Sequence, residues 1–181
     1  LDDYHELSLK MPIFANPDLR NGIKKICETR LKAISHPVLT NQDASPENWL
    51  IDKGQIRLID PFPILYFGEV MAGNFLNLYE TLFVELAHTE RYKKHQFNEC
   101  QETLQGIADG FVKGYCAQNP DSIVILRGEQ MLQLLDSAVN HVRMLEEGLN
   151  EEQFIRYGSK EDVENRLSVF HGKLIELLQF T

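Results

Sequence analysis

Apolar and polar positions change period along the chain, from helical to strand-like and back to helical. Residues 1–17 contain Pro12 and Pro17 and are expected to be irregular. Asp18 is placed to cap a helix of about 19–35, in which Leu19, Ile23, Ile26, Leu31 and Ile34 recur at helical spacing. From 38 to 60 the pattern shortens into strand-like runs. Val38-Leu39-Thr40 is one, Asn48-Trp49-Leu50-Ile51-Asp52 a second, and Gln55-Ile56-Arg57-Leu58-Ile59-Asp60 a third. Asp52-Lys53-Gly54 joins the last two as a hairpin turn, with Gly54 able to take a positive φ. Trp49 is expected to face the core. Pro61 and Pro63 predict a loop as far as Gly68.

After Gly73 the pattern is helical throughout. Phe75, Leu78, Tyr79, Leu82, Phe83 and Leu86 form a wide apolar stripe. A second helix is predicted over about 95–118, with Phe97, Leu104, Ile107, Phe111 and Tyr115 inside, ended by Asn119-Pro120. A third covers about 122–147, with a possible break at Arg127-Gly128. Ser159 and Asp162 are spaced as a capping box for a last helix of about 160–179. Glu146-Glu147 and Glu151-Glu152 read as a solvated charged loop rather than a cation site.

Composition narrows the function classes. A chain of 181 residues, 43% apolar and 25% charged, suits one domain with a real core. A net charge of −9 argues against nucleic-acid partners, and no apolar run approaches a membrane span. Cys27, Cys100 and Cys116 are odd in number and form no CxxC pair, and the histidines lack metal-ligand spacing. These features suit a reducing, cytoplasmic location without zinc or disulfides.

The polar residues around the predicted hairpin carry the chemistry. Asn48 opens one strand and Asp60 closes the other, so the two fall at the same end, about 5–8 Å apart. An amide oxygen and a carboxylate suit Mg2+, which takes few protein ligands and leaves the rest to phosphate and water. Asp43 lies in a tight loop before Pro46 and can sit over the mouth of the hairpin. Phosphoryl transfer needs such a set: one carboxylate for the attacking hydroxyl, two oxygen donors for the metal.

Asn41-Gln42-Asp43-Ala44-Ser45-Pro46-Glu47-Asn48 followed by Leu58-Ile59-Asp60 resembles the catalytic and metal loops of the aminoglycoside phosphotransferase and choline kinase-like family, relatives of the protein kinases. Gly68-Glu69 looks like the Gly-Asp that follows the metal loop there. The resemblance covers about 25 residues. It implies Asp43 as catalytic base, and Asn48 and Asp60 as Mg2+ ligands that bind ATP or GTP through the metal. Asn41 and Ser45 stand where the family has histidines.

The expected fold is α+β, mainly helical. By resemblance it is the C-terminal lobe of a protein kinase-like fold, one unit over 1–181. Catalytic and metal loops would lie within 36–69 and a helical subdomain at about 74–181. That family's nucleotide lobe brings a Gly-rich loop and a strand-borne Lys, and neither precedes residue 36. A lobe alone is then expected to be weak or inactive. The expected function is transfer of a nucleotide γ-phosphate to a hydroxyl of a small substrate. The alternatives are a degenerate kinase-like lobe serving as a binding module, and a helical interaction domain unrelated to kinases.

Overall fold

The N-terminal stretch folds against expectation. In a computed structural model, which describes residues 1–32, 36–43 and 45–181, helix α1 spans Asp2–Lys10, and a 3-10 turn follows at Pro12–Phe14. Asp2 and Asp3 in the first turn and Lys10 in the last suit the helix dipole. Tertiary bonds hold the segment. The buried Tyr4 hydroxyl donates to the carbonyls of Phe14 (2.8 Å) and Asn16 (2.9 Å). Lys10 pairs with Glu146 at 2.5 Å, and Arg143 with Glu6 at 2.7 Å. Glu6 is held down at about 2 by hydrogen bonds from Arg143 and Lys10.

Helix α2 (Pro17–Lys32) starts two residues earlier than a cap at Asp18 would place it. Asn16 is the cap: its Oδ1 accepts from the amides of Asp18 (2.8 Å) and Leu19 (3.3 Å), with Pro17 in the first helical position. Leu19, Ile23 and Ile26 are buried, but Leu31 is 87% exposed. Ile34 and the expected helix end near 35 lie outside the described residues.

The β region holds one strand more than the pattern predicted. β1 (Val38–Asn41) pairs antiparallel with β4 (Pro63–Tyr66), in the register Asn41↔Pro63 to Val38↔Tyr66. Pro63 is therefore a strand residue, not part of a loop. It opens its strand, the position where a missing N–H is tolerated. β2 (Trp49–Asp52) and β3 (Gln55–Leu58) form the hairpin between them, with Asp52↔Gln55 closing the turn. Lys53 (φ 48) and Gly54 (φ 77) both take positive φ, the signature of a two-residue type I′ turn. Trp49 is 37% exposed and does not reach the core. With every β2 residue exposed, the hairpin packs only lightly on the rest of the molecule.

The helical part begins at Gly68, six residues before the expected start after Gly73. α3 (Gly68–Asn77) runs through one π-helical turn at Leu78–Leu82 into α4 (Phe83–Glu85). α5 covers Gln101–Tyr115, shorter than predicted: Phe97 is buried ahead of it, and Ile107 is exposed. α6 (Ser122–Glu147) continues unbroken through Arg127-Gly128. α7 (Glu151–Tyr157) and α8 (Lys160–Leu177) each start with a full capping box, Asn150/Gln153 and Ser159/Asp162. Glu151 and Glu152 thus belong to the first turn of α7 rather than to a loop.

α6 organises the core. Met131, Leu134, Ala138 and Val142 pack with residues of α1, α2 and α8, while Leu126 joins a cluster built from α3, the π turn, α4 and α5. Gly73 sets the closest approach: a Cβ there would lie 2.5 Å from the Glu129 carbonyl carbon, so α3 and α6 touch backbone to backbone. Three charged side chains meet in the interior. Glu80 in the π turn pairs with Arg127 at 2.8 Å and Lys173 at 3.3 Å. Burial opposes its charge, but hydrogen bonds from Gln130 and Arg127 prevail and hold its carboxyl below the usual range. No helix among the described residues is long and apolar enough to cross a membrane. Cys27, Cys100 and Cys116 are free thiols.

Candidate functional site

The loops bearing Asp43, Asn48 and Asp60 lie side by side because the β1–β4 ladder continues into them. Beyond Asn41↔Pro63, the Gln42 amide donates to the Phe62 carbonyl at 2.9 Å. On the hairpin side the Ile59 amide donates to the Asn48 carbonyl at 2.8 Å, one step past Trp49↔Leu58. Asp60 therefore stands between two points where the loops are bound together. It takes φ 47, the left-handed region that Asp tolerates better than most residues. That turn ends the hairpin and sends the chain back toward β4.

Asn41 couples the loops through its side chain. Its Oδ1 accepts from the Phe62 amide at 2.7 Å, and its Nδ2 donates to the Asp43 carbonyl. One amide thus spans the loop carrying Asp43 and the loop following Asp60. The Asp43 carboxylate accepts from the Ser45 amide at 3.0 Å, an Asx turn. Pro46–Asn48 then form a 3-10 turn, closed by the Asn48 amide on the Ser45 carbonyl at 3.0 Å. Asp43 and Asp60 are exposed and Asn48 is half-buried.

Two side chains from the helical part bear on this loop, Tyr79 through charge and His95 by contact, and the hydrophobic pattern revealed neither role. Tyr79, counted as one of an apolar stripe, is buried in the π turn, stacked on Phe75 at 4.3 Å. Burial, and then the charge of nearby Asp43, push its hydroxyl up to about 12. His95, in a 3-10 turn between α4 and α5, sets its Nε2 against the carboxylate of Glu47, next to Asn48, and stacks on Phe97 at 5.3 Å. Their partners lie tens of residues away, so no local period marks them. The polar Asn41 was visible in the sequence, but its bridging role depends on the β4 pairing that Pro63 concealed.

The donor set here is an amide oxygen and a carboxylate, hard ligands of the kind Mg2+ accepts in small number. Among the described residues, no group of three or more His, Cys, Asp or Glu is placed to hold a metal. Family models, curated proteins and solved structures yield no match to the chain.

Proposed function

We propose that the chain is a small-molecule phosphotransferase, or the catalytic-loop lobe of one, acting on a hydroxyl-bearing substrate with ATP or GTP in the cytoplasm. The observation that supports this most is the Asn41 bridge. It ties the loop of the proposed base, Asp43, to the loop of the proposed metal ligand, Asp60. Phosphoryl transfer depends chiefly on positioning and charge neutralisation, and a fixed relation between those loops meets that need. Asn48 and Asp60 would hold Mg2+, which when bound neutralises charge on the nucleotide phosphates. Asp43, exposed and anchored by the Ser45 amide, accepts the hydrogen bond of the attacking hydroxyl and orients it.

Mn2+ titration with nucleotide, followed by NMR line broadening, tests the metal ligands. Broadening centred on Asn48 and Asp60 is expected, and broadening that spares both rejects the assignment. 31P NMR of Mg-ATP and Mg-GTP with a panel of hydroxyl acceptors tests the reaction.

A second reading, a kinase-like lobe serving as a binding module, is favoured by one observation. The β unit leaves Leu39, Ile51, Ile56, Phe62 and Leu65 exposed on its surface. Nucleotide binding without transfer to any acceptor would put this reading first.

A further inference from the structure

A cavity of about 690 Å3 opens between α2, the start of α3, α6 and the last residues of the chain. That volume falls in the range of small-molecule sites, about 300–1,000 Å3. Its wall is largely apolar, with Ile26, Phe67, Val70, Val124, Ile125 and Phe180. Glu69, in the first turn of α3, and Glu129, on α6, interrupt that wall.

Glu129 is the unusual member. It is 4% exposed. Its Oε1 lies 3.1 Å from Nε of Arg30, while its Oε2 is buried without a hydrogen-bond partner. A buried carboxylate oxygen with no donor loses its hydration and gains nothing in return. Glu129 is part of the cavity wall, and the terminal torsion of a glutamate is broad, so a small turn can offer this oxygen to a donor in the cavity. Burial pushes the Glu129 carboxyl above the ordinary carboxylate range; Arg30 opposes this and Glu69 adds to it. Of the basic residues on the wall, Arg30 is committed to Glu129 and Lys25 is exposed at the rim.

We propose that this cavity binds a small organic cation, a primary ammonium on an aromatic or aliphatic body, with Glu129 as counter-ion and Glu69 as the second carboxylate. An ammonium carries donors only, which is what Oε2 lacks. The apolar wall holds the carbon body, and the Phe67 ring favours a cation beside it, while the Phe180 ring already faces the guanidinium of Arg127. A hard metal ion prefers a shell of six or more oxygens, which suits the largely apolar wall less well than an organic cation does. The site shares no residue with Asp43, Asn48 and Asp60 and does not depend on the phosphotransferase reading.

The test is NMR shift mapping on the chain with 2-phenylethylammonium, and with neutral 2-phenylethanol as comparator. The ammonium should shift amides around Cys27, Val124 and Glu129 and bind at least tenfold more tightly than the alcohol. Glu129→Gln should remove most of that preference. Ile125→Trp, at an exposed wall position, should block both compounds with the fold intact. The proposal is overturned by equal affinity for amine and alcohol, by shifts confined to the hairpin loops, by no binding at millimolar amine, or by unchanged binding in both variants.

Discussion

The guanidinium of Arg166 lies 3.0 Å from Nε2 of His141, and both side chains are almost wholly buried. Nδ1 of the same ring lies 2.8 Å from the Ser137 carbonyl. A ring with a cationic donor on one nitrogen and a carbonyl on the other is the neutral tautomer protonated at Nδ1. Arg166 also donates to the carbonyl of Tyr157 at 2.9 Å, so this pair joins α8, α6 and the end of α7.

Burial, and then the Arg166 charge, push His141 down to about 3 from its ordinary 6.5. The unfolded chain therefore binds a proton below about pH 6.5 that the folded chain refuses until about pH 3. Stability from this group is complete above that window and is lost as pH falls through it. Between pH 7 and 4.5 the loss should be about 2–3 kcal/mol, at ~1.4 kcal/mol per pKa unit. Urea melts of wild type and His141→Gln at both pH values check it. The wild type should lose more stability on acidification than the variant; parallel losses would show that His141 is not the group responsible.

Gly73 and Gly106 should respond to alanine in opposite directions. At Gly73 the added methyl meets the Glu129 carbonyl carbon at 2.5 Å and the Gln130 nitrogen at 2.6 Å, backbone atoms that cannot step aside. Gly73→Ala should cost about 1–3 kcal/mol as α3 and α6 separate. Gly106, inside α5, has nothing within 4 Å of its would-be Cβ. Gly106→Ala should stabilise by roughly 0.5–1 kcal/mol through helix propensity. Thermal melts of the two variants separate the effects.

These residues also mark how far the sequence could be read. The hairpin, α6 and α8 were legible because their signals are local: Lys53-Gly54 for the turn, a long apolar period, and Ser159 with Asp162 for a cap. α1 was not, because it depends on Tyr4 reaching Phe14 and Asn16 and on Lys10 reaching Glu146. β4 was hidden by Pro63, a breaker everywhere except at the head of an edge strand. Leu31 and Ile107 fit the helical period yet are exposed, since a period does not say where the partner helix ends. Within the candidate site, the neighbouring positions of the loops that carry Asp43, Asn48 and Asp60 could be expected from the hairpin and the strand before it. Tyr79 and His95 could not, because they come from the helical part.

On the proposed reaction, Asp43→Asn should lower turnover by about 10²–10⁴-fold with little change in melting temperature. The residue is exposed, and an Asn oxygen can still accept from the Ser45 amide. Ser45→Ala is the control: its contribution to the Asx turn is a backbone N–H, which alanine keeps. Turnover is to be measured on an acceptor that the wild type phosphorylates. Near-normal turnover by Asp43→Asn there rules out Asp43 as the base.

The Asn41 bridge can be separated into its two halves. Asn41→Ala leaves the Phe62 amide without its acceptor and frees the Asp43 carbonyl. Asn41→Asp keeps an oxygen for Phe62 but loses the donor to Asp43. A net hydrogen bond of this kind is worth about 0.5–1.5 kcal/mol, so global stability should change little in either variant. Amide hydrogen exchange reports the local effect. Phe62 should lose protection in Asn41→Ala and retain it in Asn41→Asp, while the Gln42 amide, bound to the Phe62 carbonyl, should exchange faster in Asn41→Ala as the ladder end frays. If Phe62 exchanges at the wild-type rate in Asn41→Ala, the loops are held by the β1–β4 ladder alone, and the bridge cannot be what fixes Asp43 relative to Asp60.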